Sequence, residues 1–196
     1  MNFERFKKNV INELRERAKS LVQKNYAKIR RAVKPVIVDA IYECPEMESL
    51  RSGKLRYDLG VKIDPTLLIA WSVADTMKLQ YTYSNQYIFN FSISIQPGRY
   101  GNLLDLPQSV IISENGKKIP WLEWLLTNGT KIIMADFGVL YKEGTGRTGG
   151  AITVQNITPF MIDPAFAGVV GDNFISRALN KNSQKIQQSA WQTLLL

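Results

Sequence analysis

The sequence predicts an α+β fold in which a long N-terminal amphipathic helix and a C-terminal helix pack on a mainly antiparallel β-sheet. Three observations predict it. Apolar residues recur mostly three or four apart from Phe3 to Val36, with no glycine or proline before Pro35, which is the period of one helix face. Tyr87, Phe89, Phe91, Ile93 and Ile95 alternate with Asn90, Ser92, Ser94 and Gln96, as in a strand with one face in the core. Near the end, Gly171-Asp172 precede Phe174, Ile175, Ala178 and Leu179, a capped helix with one buried side. The chain divides into a basic helical segment (1–44), an α+β body (45–180) and an apolar C-terminal tail (181–196).

In chain order, the first helix carries Phe3, Phe6, Val10, Leu14, Ala18, Leu21, Ile29, Val33 and Val36 on its stripe and should end or kink near Lys34, because Pro35 lacks a backbone donor. Val36–Ile41 then forms a short helix up to Pro45. Residues 46–60, rich in charge and holding Ser52-Gly53, read as a loop. Asp64-Pro65 starts a helix to about Thr76 that buries Leu67, Leu68, Ala70, Trp71, Val73 and Ala74. Leu79, Tyr81 and Tyr83 share the strand period of 87–96, and Ser84-Asn85 joins the two runs as a hairpin.

Residues 97–107 are loop-like, Val110–Ile112 is a short strand, and Asn115-Gly116 a turn. Pro120 opens a short helix through Leu126 that Asn128-Gly129 closes. Apolar almost all round, it must be buried in its own domain or a neighbour, which makes Trp121 and Trp124 candidate interface residues. Lys131–Tyr141 is a strand with Ile133, Phe137, Val139 and Tyr141 inward and Gly138 a candidate bulge, and Ala151–Gln155 is another. Between them Gly144, Gly146 and Gly149 match Gly-x-Gly-x-x-Gly. The β-type residues that follow offer no helix N-terminus for a pyrophosphate, so the segment reads as a hairpin arm with Arg147 at its tip. Beyond a turn at Asp163–Gly168 and the capped helix, Ile186, Trp191, Leu194, Leu195 and Leu196 form an end expected to dock on the body or on another subunit.

Composition narrows function. The 196 residues include no histidine, which removes the commonest general base and zinc ligand together. No spacing announces a carboxylate pair or a Ser-Lys dyad, so no catalytic, cofactor-binding or metal-binding residue is assigned and none of these ligands is expected. The single cysteine, Cys44, reads as a small buried side chain. No apolar run approaches the roughly 18 residues of a membrane span, and the opening residues have no signal-peptide h-region, so a soluble protein without membrane association is expected.

Residues 1–34 hold eleven basic residues against three acids, which accounts for the whole formal charge of +8; the remainder is balanced. Such a helix can pack its stripe on the body and leave its cations solvated, or turn a basic face to nucleic acid or an acidic neighbour, two uses that are compatible. A membrane surface is the weakest use, for the stripe lacks tryptophan anchors. The candidate DNA-lumen or partner-facing residues are Arg5, Lys8, Arg15, Lys19, Arg30 and Arg31.

Five segments, taken in order, resemble the neck and tail-completion group of minor virion proteins of tailed bacteriophages. They are Ser52-Gly53-Lys54-Leu55-Arg56, Ile119 to Gly129 (IPWLEWLLTNG), Gly146-Arg147-Thr148-Gly149-Gly150-Ala151, Pro164-Ala165-Phe166-Ala167-Gly168, and Asn173 to Leu179 (NFISRAL). The chain departs from the pattern in reading Arg-Thr-Gly-Gly for Arg-Ser-Gly and in carrying Thr153 where the group has methionine. The resemblance implies a curved sheet with helix packed on it, no active site, and an oligomeric virion ring made in the host cytoplasm. A hexamer is expected, with a dodecamer as the other closed form. It would lie against portal or connector, tail terminator, tube or sheath proteins, with nonspecific contact to passing DNA. Tail completion, terminator, collar and baseplate positions all stay open.

Overall fold

The computed structural model describes residues 3–83, 89–96, 99–112, 116, 118–135, 137–142, 146, 148–155 and 159–195. It is α+β, with a long N-terminal helix, a helical C terminus and antiparallel strand pairs.

Helix α1 runs unbroken over Phe3–Tyr42, so the expected stop at Pro35 does not occur. The second half of α1 is anchored in the core through Ile29, Val33, Ile37, Val38 and Ile41, and Pro35 itself faces solvent. There the Arg31 carbonyl that proline deprives of a donor can bond water, and burial of the opposite face outweighs the lost hydrogen bond.

The expected loop at 46–60 is two helices, α2 (Pro45–Ser52) and α3 (Lys54–Leu59). Pro45 sits in the first turn of α2, Ser49 Oγ accepts from the Leu55 amide at 3.0 Å to cap α3, and Gly60 ends α3 with φ 70°. Met47, Leu50, Leu55 and Leu59 are buried; the dense charge between them hides their helical spacing.

Helix α4 (Thr66–Asp75) lies where expected, begun by Asp64, whose Oδ1 accepts from the Thr66 amide at 2.9 Å. Its buried face is a correction: Thr66, Ile69, Ala70, Val73 and Ala74 point inward, while Leu67, Leu68 and Trp71 are exposed. A helix apolar on nearly every side has no contrast from which its inner face can be read.

Strands β1 (Lys78–Tyr83) and β2 (Phe89–Ser94) form the expected antiparallel pair, with Tyr81 opposite Phe91; Ser84-Asn85 lies outside the described residues. A short helix α5 (Gly101–Leu104) and a 3-10 turn at Pro107–Ser109 occupy the stretch expected to be loop. Strands β3 (Ile111–Ile112) and β4 (Lys118–Ile119) flank the expected turn, of which Asn115 lies outside the described residues while Gly116 has φ 73°. Helix α6 (Trp121–Thr127) buries Trp121, Leu122, Leu125 and Leu126.

The expected strand at 131–141 divides into β5 (Ile132–Met134) and β6 (Phe137–Tyr141). Strand β6 pairs with β7 (Ala151–Gln155), and β5 with β8 (Phe160–Met161), all antiparallel. Gly138 sits in regular register opposite Val154, and the irregularity falls instead between Ile132 and Met134. Ile133 and Val139 pack on the core, Tyr141 is half exposed, and the side chain of Phe137 is outside the described residues. Among the described residues the strands thus form four two-stranded ladders.

Helix α7 (Phe174–Lys181) is capped by Asn173 rather than Gly171-Asp172: its side chain accepts from the amides of Ile175 and Ser176, and Ser176 Oγ returns a bond to the Asn173 amide. The tail is helix α8 (Ser183–Leu195), docked on α1 through Ile186 and Ala190, with Ser189 Oγ donating to the Ala32 carbonyl at 3.2 Å. The core therefore wraps the second half of α1 with α2, α3, α4, α6, α7 and α8.

Candidate assembly surface

Along α1 the first fully buried side chain is Val22, and before it the helix meets the body only on one side, where Ile11, Arg15, Ala18, Lys19 and Ser20 are half-buried. Phe3, Phe6, Val10, Leu14 and Leu21 are all exposed, Phe3 to 72%. At about 100° per residue these five share one side of the helix, while Val22, Ile29, Val33, Ile37 and Ala40 lie on a side roughly 120° away. The apolar stripe of the first half is thus not a continuation of the face that enters the core. About five turns of helix project as an arm with an uncovered apolar face.

Arg5, Lys8, Arg15 and Lys19 form a second row on the arm, nearly opposite the apolar one, by the same spacing. Arg5 and Lys8 are exposed, Arg15 and Lys19 half-buried. Lys19 Nζ lies 5.9 Å from the centroid of the Tyr81 ring, a cation-π contact that seats the row above strand β1. Arg31 is exposed. Arg30 is a correction: its guanidinium donates to the Asp75 carbonyl at 3.2 Å and lies 3.8 Å from the Asp75 carboxylate, which also takes Lys34. It ties α1 to α4 instead of belonging to the row.

The other sequence candidates separate. Trp121 is wholly buried and its indole donates to the Gln108 carbonyl at 2.7 Å, which makes it a core residue and corrects its assignment to an interface. Trp124 is half-buried against the core, and so is Leu194. Trp191 is 52% exposed and Leu195 83% exposed. Arg147 and Leu196 lie outside the described residues. Trp191 meets Phe91 edge to face at 6.1 Å between centroids, on the wall of an open groove of about 440 Å³ between β2 and helices α7 and α8. Phe91, Ile93, Ile95, Leu179 and Ile186 supply the rest of its apolar lining, and Ser92, Asn180, Ser183 and Gln187 its polar edge.

Three of the five segments that carry the family resemblance, 119–129, 164–168 and 173–179, touch one another directly, and the other two join them through the adjoining residues Tyr57 and Asp163. Lys54 at the start of α3 bonds Asp163 at 2.6 Å, beside Pro164. Tyr57 packs so closely on Gly150 that a Cβ there would stand 2.5 Å from its ring. Arg177 of α7 bonds the buried carboxylate of Glu46 on α2 at 2.7 Å and reaches Asp172 and the Ala167 carbonyl. A Cβ on Gly168 would lie 2.7 Å from the Leu125 carbonyl and 2.6 Å from Asn173 Cβ. The Asn173 amide in turn donates to Tyr100, to the Val169 carbonyl and to the Leu126 carbonyl. Sequence reasoning had no means to foresee these pairings, since their partners stand as far as 131 positions apart.

The same frame holds the shifted titrations. Burial raises the Asp58 carboxyl above its ordinary value, in part offset by the hydroxyl of Tyr141 that donates to it, and the Tyr141 phenol is itself raised, by burial first and by Asp58 second. The bond between Lys54 and Asp163 raises the former and lowers the latter. Among the described residues no cluster of three or more cysteine, aspartate or glutamate side chains is placed to hold a metal ion, and no helix is long and apolar enough to cross a membrane. Compared with family models, with curated proteins and with solved structures, the chain matches none of them.

Proposed function

We propose that this chain is a structural virion protein of a tailed phage, one subunit of an oligomeric ring at the head-tail junction that joins portal or connector to tail. The observation that carries the reading is the projecting arm of α1. Its five exposed apolar side chains present a surface on the order of 500 Å², as large as the largest patches of ordinary monomers, and such surface marks contact with another protein. Exposed Ile63, Leu67 and Trp71 at helical spacing on and before α4, and Leu195 at the end of α8, add further contact area on the body. The ordered segments that resemble neck and tail-completion proteins support the placement in a phage.

The expected outcome is a closed oligomer of the purified chain, alone or on meeting its partner ring, and its presence in dissociated particles. Native mass measurement and particle composition check it; a strict monomer absent from particles defeats it. A second use of the arm is favoured by the row of Arg5, Lys8, Arg15 and Lys19, which suits nonspecific contact with the phosphates of passing DNA. Catalysis has no part in either reading.

A further inference from the structure

Resting on the DNA reading and deepening it, we infer that the main duplex contact lies at the root of the arm, on a row formed by Lys24, Lys28 and Arg31, which takes the phosphate backbone without reading bases. The formal charge is not spread evenly along α1. Residues 1–16 hold four basic residues and three acids, a net +1, whereas residues 17–34 hold seven basic residues and no acid. Nearly the whole charge of +8 therefore falls where the helix enters the body, not on the tip of the arm.

The structure sorts these seven cations. Lys19 lies over the Tyr81 ring, Arg17 is bonded to Glu13 at 2.9 Å, and Arg30 and Lys34 share the Asp75 carboxylate. Lys24, Lys28 and Arg31 are exposed, and none of the three has an ionic partner among the described residues. At about 100° per residue they fall within about 60° of one another, nearly opposite Ile29 and Val33, whose complete burial holds their side of the helix outward. From Lys24 to Arg31 the axis rises about 10 Å, the rise of roughly three phosphates in one strand of duplex DNA.

An acidic protein face is the other macromolecule that carries the opposite charge, and the make-up of the row favours phosphates. A protein interface is built around desolvated apolar anchors and is poor in lysine. On this side of α1 the apolar stripe ends at Leu21, and the three cations follow with no apolar side chain among them. A phosphate backbone asks only for charge. Single strands are held on aromatic platforms as well, and Tyr26, the one aromatic residue between 17 and 34, projects from the opposite side of the helix. The row on the arm is the weaker site: Arg5 and Lys8 belong to the stretch of net +1, and Arg15 and Lys19 are half-buried.

The test is binding of the full chain to a labelled random-sequence duplex of about 30 base pairs, followed by fluorescence anisotropy across roughly 50 to 200 mM sodium chloride. Three proteins are compared: the native chain, the triple variant Lys24→Gln, Lys28→Gln, Arg31→Gln, and the triple variant Lys62→Gln, Lys131→Gln, Lys181→Gln, which removes the same charge from exposed positions of the body. Glutamine keeps the helix propensity of the residues it replaces, and circular dichroism verifies the fold. The expected result is a slope of log affinity against log salt that is shallower by about 2.7 per engaged subunit in the α1 variant, which removes roughly 40-fold of the native loss over that range. The body variant should keep the native slope. Steep native binding that the α1 variant retains overturns the row and leaves the DNA reading intact, and so does equal flattening in the body variant. Displacement of the duplex by polyglutamate as readily as by an equal charge of unlabelled DNA also overturns it, assigning the row to an acidic protein. A native chain that binds no duplex at the lowest salt removes the DNA reading itself, while the oligomer mass of the same sample decides the ring separately.

Discussion

Asn173 concentrates more of the fold than any other single side chain among the described residues. Fully buried, it caps α7 with its oxygen and with its nitrogen joins Tyr100, the α6 carbonyl of Leu126 and the loop carbonyl of Val169. Its replacement removes a cap and leaves several buried partners unpaired. Asn173→Ala should cost about 2–4 kcal/mol, read from urea or guanidinium denaturation. Arg177 and Glu46 are a different case: the carboxylate is buried but the guanidinium is 38% exposed, so water can replace part of what the pair supplies. The aspartates of the α3 frame act with opposite signs. Asp163 is held below its ordinary value, so its stabilisation is present above that value and is lost as pH falls through the lowered one. Asp58 is raised, so its charge costs stability at neutral pH, and acidification through the raised value relieves that cost before Asp163 begins to protonate. Denaturation midpoints measured from pH 7 downward should hold or rise slightly before they fall. In Asp58→Asn, which keeps an oxygen for Tyr141, the early rise should vanish. Solvent exposure of Lys54 and Asp163 keeps their share under about 1 kcal/mol.

At the scale of elements, α1 is two helices in function and one in backbone. Its first half adds no fully buried side chain before Val22 and only the half-buried Ile11, Arg15, Ala18, Lys19 and Ser20, so a chain lacking residues 1–20 should lose no more than about 1 kcal/mol of stability while losing self-association; thermal denaturation and sedimentation read the two separately. The arm's periodicity was legible in the sequence and so were the β1–β2 pair, α4, α6 and α7, because each has a clean alternation or a capped apolar run, whereas the helical form of the tail, α8, was not. What stayed illegible has physical reasons. Helices α2 and α3 carry their buried Met47, Leu50, Leu55 and Leu59 among nearly continuous charge, and a charged turn reads as solvent-exposed loop. Pro35 is a breaker by local rules, and only the burial of Ile37, Val38 and Ile41 overrides it. The change of side between Leu21 and Val22 is invisible to a single list of apolar positions, for both sets are spaced in threes and fours. Of the candidate residues, those on the exposed arm could be named from spacing. Trp121 could not be told from an interface residue until its Gln108 partner was known.

At the scale of the whole molecule, the formal charge and the exposed apolar stripe both sit on the first part of α1, apart from a balanced body. The body is balanced and its groove uncharged, whereas the excess of cations lies along α1, with Arg5, Lys8, Arg15 and Lys19 in a row on one side of its first half. Two kinds of association should therefore respond to salt in opposite ways. Subunit association through the apolar stripe should persist or strengthen from low to high sodium chloride, as burial of apolar surface does, whereas DNA affinity should fall steeply and lessen further when Arg5, Lys8, Arg15 and Lys19 become glutamine. Sedimentation and electrophoretic retardation over one salt series measure both. Equal salt weakening of the two would place the cations, and not the stripe, at the subunit contact.

The unbroken passage of α1 through Pro35 has a mechanical meaning. A spar fastened at one end inside the body has no joint along its length at which a pull on the other end could be absorbed. Any tug or twist applied to its free end is passed along one continuous helix, past the contacts of Lys19 and Gln23 with Tyr81, to Ile29, Val33 and Ile37. Load on a gripped helix is thus load on the neighbouring interior, and the strength of the link is set by how firmly that interior is packed.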